Sequence, residues 1–479
     1  MPRTKDKFSP IELRDTLSLA SLIGVLPQSE VADSLKATDC LDGRRRILPK
    51  VFVVYLIVFL CLFKEKATDE VLKHLFEGLD SLFEDRRILR ASDAAISKAR
   101  ERIGEEPLRH LFTSVCKPLC RQGDKYAYYH GLRKLAIDAS EFYLPCTKDV
   151  LRDFPTAEND GKNPQNCSKL KFGAVMETGS HAYIDADYGT VDNSEQDFAD
   201  TLTGRIGAGN LLVGDRYYRS VLNIVRVKEQ GSEVLFRATS NMRLEPIKRL
   251  YDGSCIAEIK ASKNKERHAS AFADGGKKYK SVKVRVIPFV IKNDSGSVVD
   301  SGRLLTTLLD PAKYHAQELI DIYTERWEEE MGFDEIKTHL VGGAQDSLRS
   351  KTAELVRQEF WAMLIAHYLI RKIIYEASGL ARLMPARISF VGVRDVVQRK
   401  TTAKLPPPHD IRRKLKGHVK NTHAMIVEEA SKCLVSSSRG KNNFRGVKKK
   451  TRFPRKSCEH RTTKRNFAEF NPLENGECA

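Results

Sequence analysis

Long apolar runs are missing from this sequence. The longest, Val51 to Phe63 (VFVVYLIVFLCLF), has thirteen residues. A bilayer span needs roughly 20, so this run reads as a buried core helix. The opening MPRTKDKFSP holds no apolar signal segment. These absences exclude a secreted or membrane-spanning protein and predict a cytoplasmic one with no membrane partner. Paired cysteines are missing too. None of the ten cysteines forms a C-x-x-C unit, and the only close pair is Cys116 and Cys120, one helical turn apart. That pattern argues against a zinc module or a disulfide framework, and for buried thiols in a reducing compartment.

An excess of acid is the third absence. Lys and Arg number 81 against 63 Asp and Glu, a net charge of +18. Such a balance points to a polyanionic partner, nucleic acid before membrane. The chain of 479 residues, 41% of them hydrophobic, is too long for one ordinary core and implies several domains.

Three stretches differ in character. Residues 1–128 read as helical: Ile11 to Leu26, the apolar run after Pro49, Thr68 to Leu82, and a helix capped by Ser92 and ended by Gly104. Lys98, Arg100 and Arg102 give that last helix a basic face. Such a face suits a recognition helix in a helix-turn-helix, and equally an ordinary surface helix. Residues 129–400 mix strands and helices. LRKLAIDAS is an apolar strand ending in Asp138, LKFGAVME and HAYIDADYG form a hairpin, and NLLVGDRYY is a second apolar strand ending in Asp215. β-like text fills 222–308, and Thr352 to Ser378 is a long apolar helix. Residues 401–479 form a tail. Pro406-Pro407-Pro408 breaks the chain there, and Lys441 to Arg465 holds eleven Lys or Arg against one Glu. No apolar face could bury that stretch, so it reads as a basic arm suited to phosphates.

The chemistry centres on Asp321 to Leu340, DIYTERWEEEMGFDEIKTHL. Tyr323, Arg326, Glu330 and Lys337 fall at offsets 0, 3, 7 and 14. On an ideal α-helix they lie within about 60° of one another. A carboxylate can hold a metal ion, while an Arg and a Lys can hold phosphate oxygens. Asp138 and Asp215 end apolar strands, where α/β sheets place ligand-facing residues. Three carboxylates suit Mg²⁺ or Mn²⁺, and two such ions can drive an in-line displacement at phosphorus.

Tyr323, Arg326, Glu330 and Lys337 reproduce the Y-x2-R-x3-E-x6-K signature, and the chain resembles the DDE-type insertion-sequence transposases of the IS-four family from roughly Leu17 to Val397. LAIDAS is similar to that family's first-Asp strand and LLVGDRYYRS to its second. The resemblance implies an α/β fold: a ribonuclease-H-like catalytic core with a β-rich insertion, an all-α DNA-binding domain before it and a basic tail after it. It implies a transposase that binds terminal inverted repeats as a homodimer, cleaves double-stranded DNA, and joins it to a target by cut and paste through a hairpin. Asp138, Asp215 and Glu330 would ligate two Mg²⁺ or Mn²⁺ ions. Tyr323, Arg326, Lys337, Arg216 and Arg237 would contact DNA. Some relatives stack a flipped base on an aromatic of the insertion, here Phe289 or Tyr279, although a core aromatic is the default reading of either. Ala139, Tyr217 and Glu329 depart from the family's usual residues but remove no catalytic group. A DNA-binding relic and a metal-dependent nuclease share most of these features. The intact set of three carboxylates and two cations, at this spacing, favours the transposase.

Overall fold

The computed structural model describes residues 26–43, 46–77, 91–156, 168–261, 281–293, 298–343, 347–401, 423–435 and 466–470. Most of the expected helix at Ile11 to Leu26, Tyr279, the three prolines at 406–408 and the basic stretch 441–465 lie outside these residues.

Among the described residues five helices precede the sheet: α1 (Gln28–Ala37), α2 (Lys50–Leu62), α3 (Thr68–Glu77), α4 (Asp93–Glu101) and α5 (Glu106–Val115). The apolar run is α2, entered from Pro49 in extended backbone and buried from Phe52 to Leu62. Ser92 caps α4 by accepting the Ala95 N–H. The basic face of α4 is smaller than its sequence suggests. Lys98 and Arg102 are exposed, but Arg100 turns inward and donates to the Ser350 hydroxyl (3.0 Å) and the Leu355 carbonyl (3.2 Å). Its partners stand some 250 residues away along the chain, beyond the reach of local pattern.

The sheet begins with β1 (Tyr128–Tyr129) and β2 (Leu132–Tyr143). After α6 (Lys148–Asp153) come β3 (Lys169–Glu177), β4 (Ala182–Gly189), α7 (Glu195–Leu202), β5 (Asn210–Gly214), α8 (Val221–Glu229) and β6 (Glu233–Arg237). Strand order is β4-β3-β2-β5-β6. β2, β3 and β4 pair antiparallel, while β5 lies parallel to both β2 and β6. Three antiparallel strands followed by two parallel ones make the ribonuclease-H-like core. The β-rich text divides differently from its sequence reading. Its first part, α8 and β6, completes the core. Only β7 (Pro246–Arg249), β8 (Cys255–Lys260), β9 (Ser281–Asn293) and β10 (Val298–Thr306) form the insertion, and β10 pairs antiparallel with β6. Insertion and core thus share one sheet. β11 (Asn466–Phe470) pairs with β9 outside the main order.

Three helices follow: α9 (Ala316–Thr324), α10 (Trp327–Asp334) and, beyond a π-helical turn at Glu335–Leu340, the long α11 (Ala353–Ala381). The stretch at ISFVGVRDVVQRK, open to either reading in sequence, is helix α12 (Phe390–Thr401). α11 is capped by Thr352, which accepts the Leu355 N–H, and ends at Arg382 in left-handed backbone. One apolar core takes in α1 to α5, α11 and the faces of β3 and β4. Among the described residues no helix is long and apolar enough to cross a membrane.

Leu56 is fully buried in that shared core. Leu56→Ala should cost about 2–5 kcal/mol. Chemical denaturation followed by circular dichroism should show one transition shifted as a whole. Two transitions, only one of them shifted, would mean that the leading helices and the sheet fold separately.

Candidate active site

Strand register places the two aspartates. In the parallel pair β2–β5, Ile137 stands opposite Gly214. Asp138 and Asp215 follow these residues and so stand side by side where the parallel pairing ends. At Gly214 the backbone passes closely between Ile137 and Phe236, whose side chains lie 3.1 Å from where a Cβ would be. The Asp138 side chain accepts its neighbour Ala139's N–H (2.9 Å), and Asp215 accepts the Tyr217 N–H (2.7 Å). Both departures from the family pattern therefore serve the aspartates through backbone donors that any residue but proline supplies.

The segment Tyr323 to Lys337 is not one ideal helix. Its turn tightens at Glu325-Arg326, where the Arg326 N–H reaches back to the Tyr323 carbonyl (3.2 Å). It loosens again in the π-helical turn that holds Lys337. An ion pair sits at each of these irregularities: Glu325 pairs with the buried Lys134 of β2, and Glu335 pairs with Arg371 of α11. The four signature residues still gather near the aspartates: the Arg326 guanidinium stands 5.9 Å over the Tyr323 ring and 3.9 Å from Glu330, and Asp138 acts electrostatically on Lys337. Tyr323 is buried at the end of α9, its ring 6.0 Å from that of Phe289. Arg326 lies between two carboxylates, 3.5 Å from Asp138 Oδ2 and 3.9 Å from Glu330 Oε1. Glu330 is exposed on the outer side of α10. Lys337 is half-buried, and burial lowers its pKa against the upward pull of Glu141 and Asp138.

Of the two remaining cations, Arg237 stands 5.5 Å over the Phe289 ring, donates to the Ser301 carbonyl (3.0 Å), and acts electrostatically on Tyr323. Arg216 is exposed beside Asp215, 5.5 Å from the Tyr217 ring. Phe289 is only 2% exposed. It is a core aromatic wedged between Tyr323 and Arg237, not a platform open to a base.

One group escaped the sequence. Glu195 opens α7, and the fields of Asp215 and Glu195 both raise the pKa of Asp138. Glu195 follows no apolar strand and belongs to no spaced motif, so nothing local marks it. Burial first, then these two carboxylates, push Asp138 up to about 6, against the pull of Arg326 and the Ala139 N–H. Two adjacent carboxylates short of positive charge are a donor set that fits a hard divalent cation. Among the described residues no three acidic, His or Cys side chains close around one point. Glu330 faces Arg326 instead of joining the aspartates.

Asp138 has its pKa raised on folding, so its charge opposes the folded state above pH 6 and costs nothing below about pH 4. Asp138→Asn should therefore stabilise the metal-free protein at pH 7 by on the order of 1–3 kcal/mol. The gain should disappear as pH falls from about 6 to about 4. Melting temperatures of both proteins across that range, in chelator, check this. A gain that persists at pH 4 would have another cause.

Known proteins are similar to this sequence over most of its length. The family described as "Transposase DDE domain" matches residues 129–369, and "Insertion element 4 transposase N-terminal" matches residues 16–113. The transposase InsG for insertion sequence element IS4, from Escherichia coli K12, is 29% identical over 375 residues, 78% of this chain and 80% of its own length. The putative transposase InsZ of the same organism is 25% identical over 43% of this chain and 66% of its own. A piggyBac transposase synaptic complex with hairpin DNA aligns over 86% of each chain at 11% identity, with a TM-score of 0.41. Family match and paired aspartates together identify the chain as a member of the IS4-type DDE transposases, enzymes that cleave DNA.

Proposed function

We propose that this transposase binds the terminal inverted repeats of an insertion sequence as a homodimer and moves the element by cut and paste through a hairpin. The observation that carries the reading is the register of Asp138 beside Asp215, with Arg326 linking that pair to Glu330. Asp138, Asp215 and Glu330 are the residues to hold two Mg²⁺ or Mn²⁺ ions, which when bound would activate the attacking oxygen and steady the leaving one. Arg326, once released from the carboxylates, offers its fork to a phosphate, and Lys337 offers a point charge beside it. Tyr323 supports Arg326 from the core. Arg216 and Arg237 supply further positive charge to DNA along the strand ends.

The order of bond changes follows from the family. Water attacks the phosphodiester at the element's end and releases a 3′ hydroxyl. That hydroxyl attacks the opposite strand, closing a hairpin that a second water reopens. The same 3′ hydroxyl then attacks target DNA. Each step exchanges one phosphorus–oxygen bond for another, so positioning and charge carry the catalysis. The helices before residue 128 and the basic stretch 441–465 are the surfaces to read and grip the ends, in a prokaryotic cytoplasm where the nucleoid supplies the target.

Cleavage of a labelled duplex carrying the repeats that flank the reading frame, in Mg²⁺, tests the reading. Native protein should cut at the repeat boundary, and Glu330→Gln should lose cutting by about a thousandfold or more while still binding DNA. Tight repeat binding without cutting would point to a relic, and cutting indifferent to the repeats would point to a nuclease. Replacing Arg326 by Ala should raise Mn²⁺ affinity in the absence of DNA and weaken repeat binding. Unchanged Mn²⁺ affinity in calorimetry would remove Arg326 from its place between the carboxylates.

A further inference from the structure

The side of α10 away from Glu330 is held by buried charge. Glu328 lies two residues before Glu330, so roughly 200° round the helix. Its Oε2 is 3.1 Å from His181 Nε2, on the β3–β4 turn. His181 Nδ1 is 2.8 Å from Arg371 Nη2 of α11. Arg371 in turn grips Glu335 with both ends of its fork, one hydrogen bond being 2.9 Å, and His367 Nε2 approaches the same carboxylate at 3.0 Å. The side chains of His181, His367, Arg371 and Glu335 are all nearly excluded from solvent. Gly332, between the two glutamates, lets α10 sit close: a Cβ there would stand 2.7 Å from the Tyr183 hydroxyl and 3.0 Å from the Met176 sulfur.

Stability alone does not account for such a network. A buried ion pair costs desolvation, and apolar residues of the same volume commonly serve as well or better. What the pairs add is direction. Glu335 opens the π-helical turn, so its attachment to α11 sets the angle between Glu330 and Lys337. His181 keeps left-handed backbone, with φ of 59°, to meet Glu328, a conformation that costs energy in a residue other than glycine. A rotation of α10 by about 10° would move a side-chain tip by roughly 1 Å, enough to spoil a catalytic constellation.

We infer that Glu328, His181, Arg371 and Glu335 are positioning residues that fix the rotation of α10 and its π-helical end, and with it the placing of Glu330 and Lys337 against Asp138 and Asp215. The inference rests on Glu330 serving as the third carboxylate. None of the four touches the reacting atoms; they act through the helix.

The test uses the full chain with His181→Gln, Glu328→Gln and Arg371→Lys, each alone and combined with Glu330→Gln. Mn²⁺ binding is read by calorimetry, folding by thermal melting, and repeat-end cleavage as a function of Mn²⁺. Each variant should weaken Mn²⁺ binding at least about tenfold and raise the Mn²⁺ needed for half-maximal cleavage equally, with DNA affinity retained. In the Glu330→Gln background the same changes should cost nothing more. If Arg371→Lys fails to fold, Glu328→Gln at the half-exposed end carries the measurement. Mn²⁺ binding that depends on Glu330 but is untouched by His181→Gln and Glu328→Gln overturns the network alone. So does a loss that adds fully to that of Glu330→Gln. Native Mn²⁺ binding that ignores Glu330→Gln overturns the role of Glu330, and the network with it.

Discussion

Two carboxylates placed side by side at the end of a buried strand pair need positive charge, and much of this protein can be understood from that need. The parallel pairing of β2 with β5 ends one residue before each carboxylate and so sets the two side by side. Burial and its acidic neighbours outweigh Arg326 and one backbone donor, and push the Asp138 carboxyl up to about 6. The same shortage that makes the pair costly to fold makes it ready for a divalent cation. Arg326 answers part of it at contact distances long enough for the guanidinium to leave.

The helix that supplies Arg326 is seated by pairs that are themselves buried. Lys134 reaches from β2 to Glu325 at the tightened turn. Ten residues on, Glu335 is tied to Arg371 and His367 on α11. α11 is in turn packed against the apolar α2 within the shared core. Residues far before and well after it in the chain thus converge on one short helix. This also gives the intensely apolar thirteen-residue run a place within the fold: it backs the helix that braces the site.

Much of this was legible in the sequence. Asp138 and Asp215 stood out because apolar strands ended in them, and the Tyr-Arg-Glu-Lys spacing named the segment that approaches them. Ser92 marked its helix by capping, a local effect. What stayed hidden depended on distant partners. Glu325 and Glu335 are paired with Lys134 and Arg371, which no window around residue 330 contains. Arg100 looked like surface charge because Ser350 and Leu355 are far along the chain. The strand at Glu233–Arg237 read as insertion because strands of core and insertion carry the same alternation, and only pairing assigns it to β5. Glu195 had no pattern of its own and gained significance only from the folded neighbourhood of Asp215.

The continuity of the sheet has a metric consequence. From β5 the order runs through β6, β10, β9 and β8 to β7, five steps of hydrogen-bonded neighbours. At roughly 4.8 Å a step this is about 24 Å, the rise of about seven base pairs of duplex at 3.4 Å each. The edge strand carries Lys248 and Arg249 on exposed backbone. No hinge separates it from the aspartates, only a ladder of backbone bonds. A ligand long enough to touch both would span a distance set by the count of strands between them.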